Sequence, residues 1–329
     1  MPLQYAIPAC LHNSAGRTRT VGFELEFAGL DLMTAAEAVA RAIKGRVQED
    51  TQAECKVVHP DLGSFNIELD WAFAKNMARR QLDDALPPDT TLVTLMTDLA
   101  RQVVPLELVC PPIPITRLEL LDPVVESLRQ SGALGTSESL VYAFGMHINP
   151  EVPEVTPQVL VAYLQAYCVA QGWLVKLHEV DPMRRLTPYI DSYPRRYVQK
   201  VMAYTSLTSL HQVMDDYLAH NPTRNRGLDM LPLFKHIDEA RVIAAVSDER
   251  VKARPTFHYR LPNCEIEKPG WRPAESWNAW CVLEYLVSHP VELEAMCGQW
   301  LHYHHNLINF KEEPWHHELT SIHQDLLSA

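Results

Sequence analysis

The stretch "TVGFELEFAGL" (Thr20–Leu30) alternates apolar and other residues as a strand does, and two of its polar positions are carboxylates, Glu24 and Glu26. Residues i and i+2 of a strand stand on one side of the sheet, so these carboxylates stand together. Like charges that close repel, and glutamate is depleted in strands unless something neutralises it. The same rule sorts the other polar strands. "FNIELDW" places Asn66, Glu68 and Asp70 on one side, "PLELV" sets Glu107 opposite its two Leu neighbours, "FGMHINP" groups His147 with Asn149, and "FHYRL" groups His258 with Arg260. Each strand therefore has one apolar side and one side bearing acids, imidazoles or an arginine. A merely solvated face mixes Thr, Ser, Lys and Arg. Here Lys is absent from these positions.

A cation site explains that composition. Hard divalent ions such as Mg²⁺ or Mn²⁺ take carboxylate oxygens, and Mg²⁺ is commonly held by carboxylates together with substrate phosphates. Glu24, Glu26, Glu68, Asp70, Glu107, His147 and His258 suffice for more than one ion clamping a polyphosphate. Arg260 on the same face suits a transferring phosphoryl group. Nothing matches G-x-x-x-x-G-K-[ST], and no G-x-G-x-x-G follows a strand. A bound nucleotide would have to be held by the metal-loaded sheet face.

The elements that must position these residues are legible in the chain. After the Glu24/Glu26 strand, Thr34 and Glu37 read as a capping box for a helix over 35–44 that ends at Gly45. "ECKVVHPDLGSFNIELDW" reads as a hairpin turning at Pro60–Gly63, and a helix begins near Asp89. The strand "VPLELVCPPIPI" is stopped by Pro111 and Pro112; a helix over 117–130 leads through "SGALGTS" to the strand ending at Pro150. From Val155 the pattern is helical: 157–179, pieces of 195–219, 228–246, 273–288, and pieces of 290 to the end, interrupted by a strand over 254–261. No Ser/Gly linker separates the halves. The expected fold is one α+β domain over 1–329, with its core sheet in 18–150 plus 254–261 and helical parts in 155–253 and 270–329.

Bulk properties narrow the function. A formal charge of −12 disfavours a nucleic-acid footprint, which needs a basic face. The apolar segment from Val159 to Val180 is interrupted by Gln165, Gln171 and Lys176 and reads as a core helix rather than a membrane span. The N-terminal segment has no positive start followed by an apolar core, and the seven scattered Cys contain no C-x-x-C. These features lead us to expect a cytoplasmic protein with reduced, structural thiols.

"GFELEF", "LELVCPP", "FGMHINP", "DYLAHNPTRNRGLDMLPLF" and "RPTFHYRLPNC" occur in order, and together they resemble the putative amidoligase family of glutamine synthetase-like carboxylate–amine ligases. The resemblance runs from about Val21 to the helix after Trp271. It implies a curved antiparallel sheet forming a catalytic bowl backed by helices, with divalent metals holding ATP. Glu24 and Glu26 match the family's first-strand acid pair, Glu107 the glutamate of its E-[IL]-V-x-P strand and His147 the histidine of its H-[IV]-[NH] strand. Arg260 matches the late-strand arginine. Ligases of the wider superfamily often carry Glu two residues before that arginine, where this chain has His258, a poorer Mg²⁺ ligand that still suits Mn²⁺ or Zn²⁺. The implied reaction is ATP-dependent amide formation through an acyl phosphate, with ATP and Mg²⁺ or Mn²⁺ as cofactors. His147, Asn149 and Arg260 would contact the nucleotide. The substrates would be a small-molecule or peptide carboxylate and an amine or ammonia, the latter from a glutaminase-type donor.

Other residues leave two readings. Arg224 and Arg226, in the loop His220–Asp229, suit a phosphate or a carboxylate, while Asn225 or Asp229 equally suits a helix cap. The histidines over 302–317 suit a metal or a solvated helix end, and "LGTSESLVYAF" a lid or an ordinary loop. Trp277 and Trp280 fall at helical spacing and read as core. Two further functions compete with the ligase. A metal-dependent hydrolase could use the same acid/His bowl, and a non-catalytic scaffold could keep only the fold. The first lacks H-E-x-x-H and the second finds its sole support in His258.

Overall fold

An alternating strand needs hydrogen-bonding partners on both edges and a cover for its apolar face, and β1 (Thr20–Phe27) has both. The computed structural model describes residues 3–51, 53–69, 105–136, 144–180, 190–305 and 313–328. In it, β1 is central to an antiparallel sheet of seven strands. One edge of β1 pairs with β5 (Leu106–Val109) and β6 (Ile113–Pro114), which are separated by Pro111 and Pro112. The other edge pairs with β7 (Met146–Pro150), setting Glu24 opposite His147 and Gly22 opposite Asn149. Beyond β5 the sheet continues through β4 (Gly63–Leu69) and β3 (Glu54–His59) to β2 (Arg46–Thr51). The expected hairpin is present: His59 pairs with Gly63 around the Pro60–Gly63 turn.

Pairing fixes which side chains meet. Glu26 lies opposite Glu107, Glu107 opposite Glu68, and Glu68 opposite Glu54, so four carboxylates line up across four strands. On the reverse face Val21, Phe23, Leu25 and Phe27 are fully buried. Helix α1 (Leu32–Ile43) covers that face, packing on β3 and β4 and against α2 (Asp122–Gln130). It starts earlier than expected, because Asp31 rather than Thr34 is the cap. Asp31 accepts from Thr34 N at 2.9 Å and from Thr34 Oγ1 at 2.6 Å. Its last residue is followed by Lys44 in the left-handed region (φ 57°), and at Gly45 a Cβ would meet Val57 Cγ1 at 2.9 Å.

The Asp31 hydrogen bonds hold its carboxyl below the usual carboxylate range. Its stabilisation is thus complete above about pH 4, the unfolded value, and fades as pH falls through the lower folded value. Asp31→Ala is expected to cost about 1 kcal/mol at neutral pH, with the deficit relative to wild type shrinking below about pH 3 in pH-stepped urea melts.

The remaining helices are α3 (Pro157–Leu177), α4 (Arg195–Met202), α5 (Leu210–His220), α6 (Leu231–Ile237), α7 (Glu239–Ala245), α8 (Pro273–Ser288), α9 (Pro290–His305) and α10 (His316–Ser328). Two further helix expectations are corrected. The helix expected over 117–130 begins as a 3₁₀ segment, Ile115–Leu121, distorted at Arg117 (φ −137°), with Pro123 opening α2. The helix expected over 228–246 breaks at Asp238, whose extended backbone ends α6 and whose side chain caps α7 by accepting from Arg241 N. The core reading of α3 holds: among the described residues it is the one helix long and apolar enough to cross a membrane, and most of it is buried in the protein. Trp277 and Trp280 of α8 are fully buried. The helix expected near Asp89 lies outside the described residues.

The strand expected over 254–261 is not continuous. Thr256 bridges Glu151 and Tyr259 bridges Ile148, but Pro255 and Pro262 have no N–H to offer, and Arg260 N turns away to Gly227 O at 2.8 Å. Tyr259 also bridges Leu228. Residues 255–260 therefore lie between β7 and the loop 227–229.

Candidate active site

The polar face assembles around Glu24, which is 8% exposed and receives contacts on both oxygens. Oε1 accepts from Asn149 Nδ2 at 3.0 Å and from Arg254 Nη1 at 3.2 Å. Oε2 lies 2.8 Å from His147 Nδ1 and 3.8 Å from His258 Nε2. Register explains the convergence. β1 sets His147 directly beside Glu24, and the Ile148–Tyr259 bridge carries His258 and Arg260 to the far side of β7 on the same face.

Burial is the strongest influence on Glu24 and pushes its carboxyl up, but the imidazoles of His147 and His258 beside its oxygens together overcome it and hold the carboxyl well below the usual carboxylate range. Burial also holds His147 down to about 4, so it is a neutral imidazole at physiological pH. With Nδ1–H donating to Glu24, the His147 Nε2 lone pair faces Glu26 Oε1 at 3.6 Å. Two acceptors facing each other across that gap call for a cation. His258 repeats the arrangement. Its Nδ1 faces the buried Asp229 Oδ2 at 3.4 Å, and its Nε2 is buried without a hydrogen-bond partner on the side of Glu24. Glu24, His147 and His258 offer ligand atoms that all lie within 4.8 Å of one another, the one such group among the described residues. An orphaned imidazole nitrogen, a neutral imidazole and an ionised carboxylate fit a divalent ion.

The other candidates are placed around this centre. Glu26 Oε2 accepts from Gly145 N at 2.7 Å. Glu68 and Glu107 continue its row, and burial followed by the adjacent Glu54 pushes the Glu68 carboxyl upward. Arg260 donates to the carbonyl of Arg224, and Arg224 is itself half-buried with its Nε lacking a partner. Burial first and then the like charge of Arg260 lower the Arg224 guanidinium. Two neighbouring cations of this kind favour an anion between them. Arg226 points elsewhere, donating to Ser192 O at 3.0 Å and lying 3.8 Å from Asp191. Asp70 and the segment 137–143 of the lid candidate fall outside the described residues. The histidines near the C-terminus are tied to an acid: His304 and His316 contact opposite oxygens of Glu313, at 3.0 and 2.8 Å.

A cavity of about 500 Å³ opens beside Glu24, lined by Arg17, Gly22, Val109, Asn149 and Arg254 among others. With this geometry in view, comparison with known proteins is decisive. Residues 17–282 match the family described as putative amidoligase enzyme. The chain belongs to the amidoligase family. No curated protein matches it. The matched region contains Glu24, His147, Asp229, His258 and Arg260 of this amidoligase.

Two contributors escaped the sequence reading. Arg254 shares its parity with Thr256, His258 and Arg260, so the same-face rule extended by two steps would have placed it beside Glu24. Asp229 was visible as a possible helix cap, and it does accept from Leu231 N at 2.9 Å. Its second oxygen, facing His258, had no signature in the sequence.

Proposed function

We propose that this amidoligase joins a carboxylic acid to an amine or ammonia using ATP, through an acyl phosphate, on a glutamine synthetase-like sheet face. The observation that carries the reading is the closure of Glu24, His147 and His258 beside the Arg224–Arg260 pair. A carboxylate is a poor electrophile. Its oxygen attacks the γ-phosphorus, the bond to the ADP oxygen breaks, and the resulting acyl phosphate carries a good leaving group. The amine nitrogen then attacks the acyl carbon, the C–O bond to phosphate breaks, and the nitrogen loses a proton. A divalent ion, when bound, supplies charge neutralisation at the phosphate oxygens.

The chain's own residues supply the rest. Glu24, His147 and His258 would hold the ion, with Glu26, Glu68 and Glu107 extending the acidic row for a further one. Arg260, steadied by the Arg224 carbonyl, presents fixed positive charge to the transferring group, and such preorganised charge is usually the largest protein contribution. Asn149 and Arg254 hold Glu24 in place from the cavity side. A metabolite or peptide terminus is the acid, and ammonia arrives free or from a glutaminase-type partner.

Calorimetric titration of the chain with a non-hydrolysable ATP analogue tests the reading. Saturable binding with Mn²⁺ or Mg²⁺ that chelator abolishes is the expected result. Binding of metal without any effect of nucleotide would favour the hydrolase, and binding of neither would leave a scaffold.

A further inference from the structure

The donor set around Glu24 has a consequence for which ion it takes. Mg²⁺ demands near-octahedral oxygen coordination and dehydrates reluctantly, whereas imidazole suits Zn²⁺ and Fe²⁺ and is also accepted by Mn²⁺, which otherwise shares the oxygen preference of Mg²⁺. The three groups that close to within 4.8 Å provide two imidazoles and one carboxylate. His258 is 1% exposed, and its Nε2 has no hydrogen-bond partner. It is also held in orientation from behind. The fully buried Asp229 faces Nδ1 at 3.4 Å, Asp229 N donates to His258 O at 2.9 Å, and Arg260 N donates to Gly227 O at 2.8 Å. A carboxylate on the far nitrogen fixes the tautomer and raises the basicity of a metal-binding imidazole. His147 stands edge-on to His258 with ring centroids 5.1 Å apart, so both rings border one small space.

We propose that the Glu24–His147–His258 site is built for a first-row transition ion rather than Mg²⁺, and that Asp229 acts through His258 to set that preference. The proposal rests on these residues being a metal site and deepens it by naming the class of ion. Any Mg²⁺ that accompanies the nucleotide belongs with the all-oxygen row of Glu26, Glu68 and Glu107.

The test is metal binding by the full chain without nucleotide, read by equilibrium dialysis and metal analysis with Zn²⁺, Mn²⁺ and Mg²⁺ in competition, and by nitrogen couplings in the pulsed EPR spectrum of bound Mn²⁺. Wild type is expected to hold Zn²⁺ and Mn²⁺ more than about tenfold tighter than Mg²⁺ and to show imidazole nitrogen coupling. His258→Glu should narrow that ratio and reduce the coupling. Asp229→Asn, which keeps the cap on Leu231, should weaken Zn²⁺ and Mn²⁺ by about 10–100-fold and leave Mg²⁺ binding nearly unchanged. Equal Mg²⁺ and Mn²⁺ affinity in wild type, or bound Mn²⁺ without nitrogen coupling, would overturn the preference while leaving a metal-dependent ligase intact. If no ion binds, with or without the ATP analogue, the metal-site reading itself falls. The wild-type measurements decide the ion preference even if a variant fails to fold, and wild-type Zn²⁺ and Mn²⁺ affinity in folded Asp229→Asn would overturn the role of Asp229.

Discussion

Glu24→Gln is expected to weaken Mn²⁺ and the Mn²⁺-dependent binding of an ATP analogue by at least about 100-fold, while thermal unfolding changes little. The substitution keeps most of the contacts around this side chain. The amide oxygen of Gln still accepts from Asn149 and Arg254, which contact Oε1 in the wild type at 3.0 and 3.2 Å. The amide nitrogen takes the Oε2 position and donates to His147 Nδ1, because a neutral imidazole can exchange its tautomer. The apo network is re-satisfied at a cost of about 1–2 kcal/mol, mostly from the Arg254 charge losing its partner. The anionic ligand cannot be replaced in this way. Glu26→Gln is the companion variant. It keeps the acceptor for Gly145 N at 2.7 Å but removes the charge facing His147 Nε2, so it should lose nucleotide affinity with an even smaller change in stability. Retention of wild-type metal and nucleotide affinity by Glu24→Gln would exclude this face as the active site. Failure of both variants to fold would instead assign the two acids a structural role.

The reason this centre is legible in the sequence is that strand parity is a local rule. Glu24, Glu26, Glu68, Glu107, His147 and His258 each fall on the polar side of an otherwise apolar strand, and pairing then brings together faces that each strand announces separately. Parity does not give register. That His147 rather than Asn149 lies directly opposite Glu24 across the β1–β7 pair depends on which residues pair, and only the structure shows it. Contacts from loops are harder still. Asp229 reaches His258 because residues 227–229 lie along an interrupted edge whose prolines break the ladder, and no periodicity marks that route. Helix starts failed for a similar reason. Asp31 and Thr34 both carry capping side chains three residues apart, and the choice between them rests on backbone geometry, with Asp31 extended at φ −80° and ψ 164°.

The same parity rule exposes a residue the sequence reading passed over, and with it the largest stability effect expected in the protein. Arg19 shares the parity of Val21, Phe23 and Leu25, so it projects to the apolar side of the sheet, where it is 0% exposed. A charge there survives only if fully paired. Its partner is Glu284 of α8, distant in sequence, bound at both oxygens by Arg19 at 2.9 and 2.8 Å. Tyr163 OH at 2.7 Å and Trp280 Nε1 at 2.9 Å complete the carboxylate, and the carbonyls of Cys10 and Glu151 complete the guanidinium. Burial alone would lower the Arg19 pKa, and the Glu284 charge more than reverses it. Glu284→Gln leaves that guanidinium buried without a counter-charge and is expected to cost about 3–5 kcal/mol in chemical denaturation. Removing both charges, as Arg19→Met with Glu284→Leu, should recover most of that loss, since a well-packed apolar pair commonly matches a buried ion pair. Metal binding at Glu24 should be unaffected in either variant that folds, because Arg19 and Glu24 lie on opposite faces of the sheet. A Glu284→Gln cost below about 1 kcal/mol would mean that the pair is hydrated in solution and that the apolar face admits water at the start of β1.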